Sequence, residues 1–276
     1  MREAAMVSDE VAAGSRLMVF TDLDGCLLDH RSYDYRPALP ALERLRRLAV
    51  PVVLSSSKTL AEIEDLRRRL ALEAPVIAEN GGVIGWPSDG DRIDPELLSP
   101  TYEHIRRELL ELRAVRGYAF EGFGDWDDEQ VARATGLPLR EAGLARQRQC
   151  SEPLLWRDDP SSLATFEADL AERGLRLLQG GRFVHVLGCA DKAEAMRIVV
   201  ARGTDRLGAK PIVLALGDSP NDVAMLRAAD RAVVVSNPAG PGIPVDALSG
   251  AVRTRSVGPA GWREAVEAVL DELGGV

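Results

Sequence analysis

The chain has 276 residues, 46% of them hydrophobic and 28% charged, the composition of an ordinary globular protein with room for one large or two modest domains. Its formal net charge of −9, from 34 basic and 43 acidic residues, argues against nucleic-acid or anionic-membrane partners. Any anionic ligand must therefore meet positive charge concentrated locally. No stretch approaches the roughly 20 apolar residues that span a bilayer, and residues 1–15 lack the apolar core of a signal peptide, so a flexible tail is expected there.

In chain order, Leu17 to Thr21 is an apolar run that reads as a buried strand. Leu39, Leu42, Leu45 and Leu48 mark one face of a helix. Val50 to Leu54 is a second strand, Leu60, Ile63, Leu66 and Leu70 a second helix, and Pro75 to Ala78 a short strand closed by Glu79-Asn80-Gly81-Gly82. This alternation predicts an α/β, Rossmann-like, doubly wound parallel sheet. Near Val83 the pattern changes. Helices are expected around Tyr102–Val115, Glu129–Ala134 and Ser161–Glu172, a strand over Ser151–Trp156, and a hairpin in which Leu175–Gln179 and Arg182–Leu187 flank Gly180-Gly181. Alternation returns with a helix from Lys192, a strand over Pro211–Leu216, a helix over Val223–Ala229 and a strand over Ala232–Ser236. The expected organisation is a core of residues 16–84 and 190–276 with an inserted α+β cap at 85–189. Three cysteines, Cys26, Cys150 and Cys189, fit no metal or disulfide spacing, as expected for a reducing cytoplasm.

Two strand ends carry the chemistry. The first strand runs into Asp22-Leu23-Asp24-Gly25. Side chains at i and i+2 share a face of a strand, open α/β sheets bind ligands at this edge, and Gly25 permits a sharp turn. Two carboxylates there can divide labour, one attacking phosphorus and the other moving protons, although short Asp-x-Asp pairs also occur as solvated loop acids or as glycosyltransferase metal sites. The Pro211–Leu216 run ends in Gly217-Asp218-Ser219-Pro220-Asn221-Asp222. Two strands ending in acids can lie side by side and share one divalent cation.

These segments resemble the first and fourth motifs of the haloacid dehalogenase superfamily of phosphatases. Ser55-Ser56-Ser57-Lys58-Thr59 resembles the second motif, and Asp191-Lys192 the third. Cys26 stands where threonine is usual and Ala193 where glycine often follows the lysine. The resemblance implies Asp22 as nucleophile and Asp24 as general acid and base. It implies Mg²⁺ held by the carboxylates of Asp22 and Asp218 with the carbonyl of Asp24. It further implies Ser56 as phosphate ligand, with Ser55 and Ser57 as alternatives in the serine run, Lys58 at the second motif's cationic position and Lys192 as the third motif's cation. Asp222 is implied as support for the metal shell or as orienter of Lys192, with direct ligation as the alternative, and Asn221 serves the phosphate or the turn. Lone lysines at helix starts usually face solvent, and a first-turn aspartate such as Asp222 also suits the helix dipole.

A finer resemblance rests on Glu79-Asn80-Gly81-Gly82, on Ser151-Glu152-Pro153-Leu154-Leu155-Trp156 and on Gly180-Gly181-Arg182-Phe183-Val184-His185. With the core motifs, these resemble the mannosyl-3-phosphoglycerate phosphatase family. That implies a cytoplasmic, Mg²⁺-dependent phosphomonoesterase on the route to mannosylglycerate, a compatible solute, acting on a small anionic sugar phosphate and needing neither nucleic acid nor membrane. Arg148, Glu152, Arg182 and His185 are the cap residues expected to meet the substrate. Arg182 suits a carboxylate clamp, while His185 equally suits a strand interior. Two other readings stand beside this one: another sugar phosphatase, for sucrose phosphate or hexose phosphates, and a non-catalytic phosphosugar-binding regulator.

Overall fold

The computed structural model describes residues 17–89, 92–180, 182–240, 242–244 and 248–274; the expected tail at 1–15 lies outside them. In chain order the strands and helices are β1 (Leu17–Thr21), α1 (Leu39–Arg47), β2 (Val52–Ser55), α2 (Leu60–Arg69), β3 (Val76–Ala78), β4 (Val83–Pro87) and β5 (Ile93–Leu97). Then come α3 (Tyr102–Arg116), β6 (Phe120–Gly122), α4 (Asp128–Thr135), α5 (Leu139–Ala145), β7 (Ser151–Trp156), α6 (Pro160–Ala171), β8 (Arg176–Gln179) and β9 (Val184–Leu187). The chain closes with α7 (Lys192–Leu207), β10 (Ile212–Gly217), α8 (Val223–Ala228), β11 (Arg231–Ser236), β12 (Val252–Val257) and α9 (Gly258–Gly274). The chain divides into two compact units: Met1–Ser56, Ala71–Pro75 and Lys192–Val276 form one, Ser57–Leu70 and Val76–Asp191 the other.

The first unit carries the expected parallel sheet, in the order β12-β11-β10-β1-β2. Every residue of β1 is buried, which is why its sequence is continuously apolar rather than alternating. Register fixes the consequence. Thr21 pairs with Leu216 on one side and with Leu54 on the other, and the Asp22 amide donates to the Leu216 carbonyl at 2.9 Å. Asp22 therefore leaves the sheet where β10 delivers Gly217 and Asp218 and where β2 delivers Ser55. The last helix secures this edge. Trp262 of α9 is fully buried, and its Nε1–H donates to the Thr21 hydroxyl at 2.9 Å. That hydroxyl donates in turn to the Asp22 carbonyl at 2.7 Å.

The second unit holds an antiparallel ladder, β3-β4-β5, and a separate antiparallel sheet ordered β6-β7-β9-β8. Helices α3 and α6 bury Ile105, Leu109, Leu112, Phe166 and Leu170 in one apolar cluster with Leu154, Val184 and Val186 of that sheet. α2 starts with a capping box in which the Thr59 hydroxyl accepts from the Glu62 amide. Gln179 pairs with Val184, and Gly180 donates to the Phe183 carbonyl at 3.0 Å. The hairpin is thus formed as its glycine signal predicts, with Gly181 outside the described residues. Among the described residues no helix is long and apolar enough to cross a membrane, and all three cysteines are free.

The elements that sequence reasoning missed are β4, β5, β6, α5, β12 and α9. β5 is largely exposed and reads Ile93-Asp94-Pro95-Glu96-Leu97, with the proline tolerated because the strand has a partner on β4 alone. β12 is also a terminal strand of its sheet, and its alternate arginines, Arg253 and Arg255, carry the charge that protects such an edge.

Removing the large buried ring of Trp262 opens a cavity behind the Asp22 strand. Trp262→Ala is expected to lose about 3–5 kcal/mol of stability, read as a shifted midpoint in urea denaturation.

Candidate active site

At the C-terminal edge of the parallel sheet, four side chains from three segments meet. Lys192, the first residue of α7, is 1% exposed. Its ammonium donates to Asp22 Oδ1 at 2.6 Å, to Asp222 Oδ1 at 2.7 Å and to the Ser55 carbonyl at 3.1 Å. Those are its three protons, each with an acceptor. Burial works against its charge, but the facing Asp22 and Asp222 carboxylates outweigh it and hold Lys192 above the usual lysine range. Burial pushes Asp22 well above the usual carboxylate range. Lys192 pulls it back, and Asp222, Asp218 and Asp24 push it up again.

Asp222 is fully buried and both of its oxygens are engaged. Oδ1 faces Lys192, and Oδ2 accepts from the amides of Asp218 and Ser219, each at 3.1 Å. It thereby shapes the β10 turn while orienting the lysine. Asp218 Oδ2 accepts from Asn237 Nδ2 at 2.7 Å, whereas the buried Asp218 Oδ1 has no hydrogen-bond partner among the described residues. Its pKa is pushed up to about 6, first by burial and then, against the Asn237 hydrogen bond, by Asp222. Asp24 is half-buried in the tight turn after β1, where Gly25, at φ 84°, donates to the Leu28 carbonyl. Asn221 accepts from the Ser219 hydroxyl at 2.5 Å. Within the serine run, Ser55 gives its carbonyl to Lys192 and its buried hydroxyl has no hydrogen-bond partner among the described residues, while Ser56 is also buried.

Oxygen atoms of Asp22, Asp218 and Asp222 lie within 4.8 Å of one another, so the cluster can hold a metal ion. Burial first, and then the neighbouring carboxylates, raise the pKa of Asp22 and Asp218, and three carboxylates against one ammonium leave negative charge in excess if all are ionised. A divalent cation matches that excess. Oxygen-only donors suit a hard ion such as Mg²⁺, and Asp218 Oδ1 is a buried oxygen with no hydrogen-bond partner among the described residues.

Residues 19–120 match the haloacid dehalogenase-like hydrolase family. Solved structures agree along almost the whole chain. A Thermoplasma acidophilum protein superposes with a TM-score of 0.68 at 17% identity, covering 93% of this chain and 98% of its own. A phosphatase of the haloalkanoate superfamily from Bacteroides thetaiotaomicron gives 0.65 at 20% identity, covering 94% and 95%. The sucrose-phosphatase of Synechocystis, solved with sucrose and phosphate, gives 0.63 at 19%, covering 93% and 98%. The fold is that of the haloacid dehalogenase-like hydrolases.

In this haloacid dehalogenase-like fold, the remaining predicted residues belong to the second unit. Lys58 gives its carbonyl to the Glu79 amide. Arg148 is tethered, with Nε donating to the Ala145 carbonyl and Nη1 to the Ser57 carbonyl, each at 2.9 Å. Glu152 is fully buried and accepts from Tyr102 Oη, Arg106 Nη1 and the Gly124 amide at 2.8–2.9 Å. Its carboxylate thus joins α3 to β7. Arg182 is exposed and donates to the Ala134 carbonyl. His185 lies on β9 with a buried Nδ1 that has no hydrogen-bond partner among the described residues. Burial, and then the charge of Arg148, push its pKa down to about 3.

Two groups were not anticipated from sequence. Asn237 follows β11 in an Asn-Pro pair that reads only as a turn signal. Glu79, fully buried at φ 50°, accepts from the Gln149 and Cys150 amides and the Ser151 hydroxyl, and so fixes the segment that carries Arg148.

Lys192→Met leaves the buried Asp22 and Asp222 uncompensated and is expected to cost about 3–5 kcal/mol, measured by urea denaturation in chelator. For His185 the depressed pKa sets the sign. The native ring stays neutral while the unfolded ring takes a proton below about pH 6.5. Its contribution is therefore present above that pH and lost as pH falls towards 3. His185→Leu is expected to lose less thermal stability than the parent on acidification from about pH 7 to about pH 4.

Proposed function

We propose that this protein is a divalent-metal-dependent phosphomonoesterase acting on a sugar phosphate. The observation that carries this reading is the buried constellation of Asp22, Lys192, Asp218 and Asp222 at one strand edge, with Asp24 two residues beyond Asp22. Asp22, Asp218 and the Asp24 carbonyl would hold a Mg²⁺ ion, which when bound would supply the charge neutralisation that an anionic phosphate needs beside carboxylates.

The residues of the chain do the rest. Asp22 attacks phosphorus through a carboxylate oxygen, the bond from phosphorus to the ester oxygen breaks, and Asp24 gives a proton to the departing alkoxide. Asp24, now a carboxylate, takes a proton from water. The water oxygen bonds to phosphorus, the bond to Asp22 breaks, and phosphate leaves with both aspartates restored. Lys192 keeps Asp22 in place and opposes the negative charge that builds on the phosphoryl oxygens. A hydroxyl from Ser56 or its neighbour Ser55 and the amide of Asn221 are suited to the phosphate itself, with Lys58 as a further cation. An acid at position 24 favours rapid turnover, since a binding protein or regulator has no need of a proton-transfer group there.

The candidate substrate is mannosyl-3-phosphoglycerate, or its glucosyl counterpart, on the strength of the motifs at Glu79–Gly82, Ser151–Trp156 and Gly180–His185. Residues 85–189 are proposed as the cap that selects it, with exposed Arg182 as the carboxylate clamp and Arg148 and His185 as further polar groups of that unit. Sucrose phosphate and simple hexose phosphates are the competing substrates, the first favoured by the likeness to the sucrose-phosphatase fold.

Asp22→Asn is expected to abolish phosphate release from every substrate while circular dichroism stays native. Asp24→Asn is expected to lower kcat by about 10²- to 10⁴-fold. Removing divalent metal should stop turnover and restoring Mg²⁺ should return it; full activity after verified metal removal overturns the metal-dependent reading. In a panel of glycosyl-3-phosphoglycerates, sucrose phosphate and hexose phosphates, the highest kcat/KM is expected for a glycosyl-3-phosphoglycerate. Arg182→Ala should lower that value far more than the value for an aryl phosphate. A preference for a plain hexose phosphate rejects the substrate and leaves the phosphatase chemistry standing.

A further inference from the structure

Asn237 sits behind the metal-ligating end of the site, on the turn after β11. We propose that Asn237 is a positioning residue that fixes the Asp218 carboxylate with Oδ1 bare and available to a divalent cation. The inference rests on the metal-dependent reading above and adds a residue which that reading does not use.

Three observations converge. First, the amide has a defined direction. Asn237 Oδ1 accepts from the Ala239 amide at 3.1 Å, so the opposite end, Nδ2, must be the group that faces Asp218. Nδ2 donates to Asp218 Oδ2 at 2.7 Å. An oxygen in its place would set two acceptors against each other. Second, the hydrogen bond divides the carboxylate: one oxygen is occupied, and the buried Oδ1 has no hydrogen-bond partner among the described residues. A metal-ligating carboxylate is oriented by just such a partner on its other oxygen. Third, the backbone is shaped around the amide. A Cβ on Gly25 would stand 2.1 Å from Asn237 Nδ2 and 2.9 Å from Asp218 Oδ2, and one on Gly240 would stand 2.8 Å from Nδ2. Gly25 thus serves two ends: its φ of 84° turns the chain after Asp24, and its missing side chain makes the slot that seats the amide. This hydrogen bond joins the β10 turn to the β11 turn, and Gly25, in the loop after Asp24, packs against it.

The alternative, a turn residue of purely local value, is separable. A serine at 237 can still accept from the Ala239 amide as a short turn former, yet it is too short to replace the donor on Asp218. The experiment measures Mn²⁺ affinity by calorimetry on the parent, Asn237→Ser and Asn237→Ala, with circular dichroism to confirm folding, and then the Mg²⁺ dependence of turnover. The expected result is a Kd for Mn²⁺ raised about 10- to 100-fold in both variants. The Mg²⁺ concentration for half-maximal rate should rise in step, and kcat at saturating Mg²⁺ should fall much less. Parent-like Mn²⁺ affinity in a folded Asn237→Ser overturns the proposal, as does a loss of kcat with unchanged metal affinity. If Asn237→Ala does not fold, Asn237→Ser decides alone. Failure of the parent itself to bind Mn²⁺ overturns the metal reading and this assignment with it, and the parent's own isotherm distinguishes that outcome from failure of the assignment alone.

Discussion

The buried ammonium of Lys192 is the interaction on which the rest of this sheet edge depends. A charged lysine out of contact with water is costly unless its protons are all taken, and here each has a partner: Asp22, Asp222 and the Ser55 carbonyl. Those acceptors come from the ends of β1 and β2 and from the turn after β10. One cation thus ties together three segments that lie far apart in the sequence.

The same arithmetic of charge governs the opposite side of the site. Asp222 spends both oxygens inside the protein, whereas Asp218 spends one. That asymmetry separates a carboxylate that builds the turn from a carboxylate with capacity left for a ligand, a distinction the two identical side chains do not reveal by themselves. Rigid support continues outward through the Thr21 hydroxyl to Trp262, so the position of Asp22 is set by packing at the far end of the chain as well as by the sheet.

In the second unit, polar groups are buried for structural ends. Glu152 gathers Tyr102, Arg106 and the Gly124 amide, and Glu79 gathers three donors from the Gln149–Ser151 segment. Buried carboxylates of this kind specify how loops and helices join, because leaving any one donor unpaired costs more than the hydrogen bond itself contributes. Both acids fall inside motifs that stand out in the sequence, and a motif alone does not tell an architectural acid from a ligand-binding one.

What the sequence by itself determined was the set of strands β1, β2, β3 and β10, the helices between them and the acids at two strand tips. These are legible because a buried parallel strand must be continuously apolar and must end where polar residues begin. The hairpin of β8 and β9 was legible for a similar local reason, a glycine pair between two apolar runs. The edge strands β5 and β12 were hidden, since an exposed edge needs charge and proline as much as apolar side chains. Tertiary structure alone decided that Lys192 is buried rather than solvated, that both Asp222 oxygens take hydrogen bonds from Lys192 and the β10 turn, and that Glu152 accepts from Tyr102 and Arg106 of α3. It alone brought Asn237 against Asp218. Each of those outcomes depends on which strands lie side by side, and strand order and register are set by packing across the whole sheet rather than by any local stretch of residues.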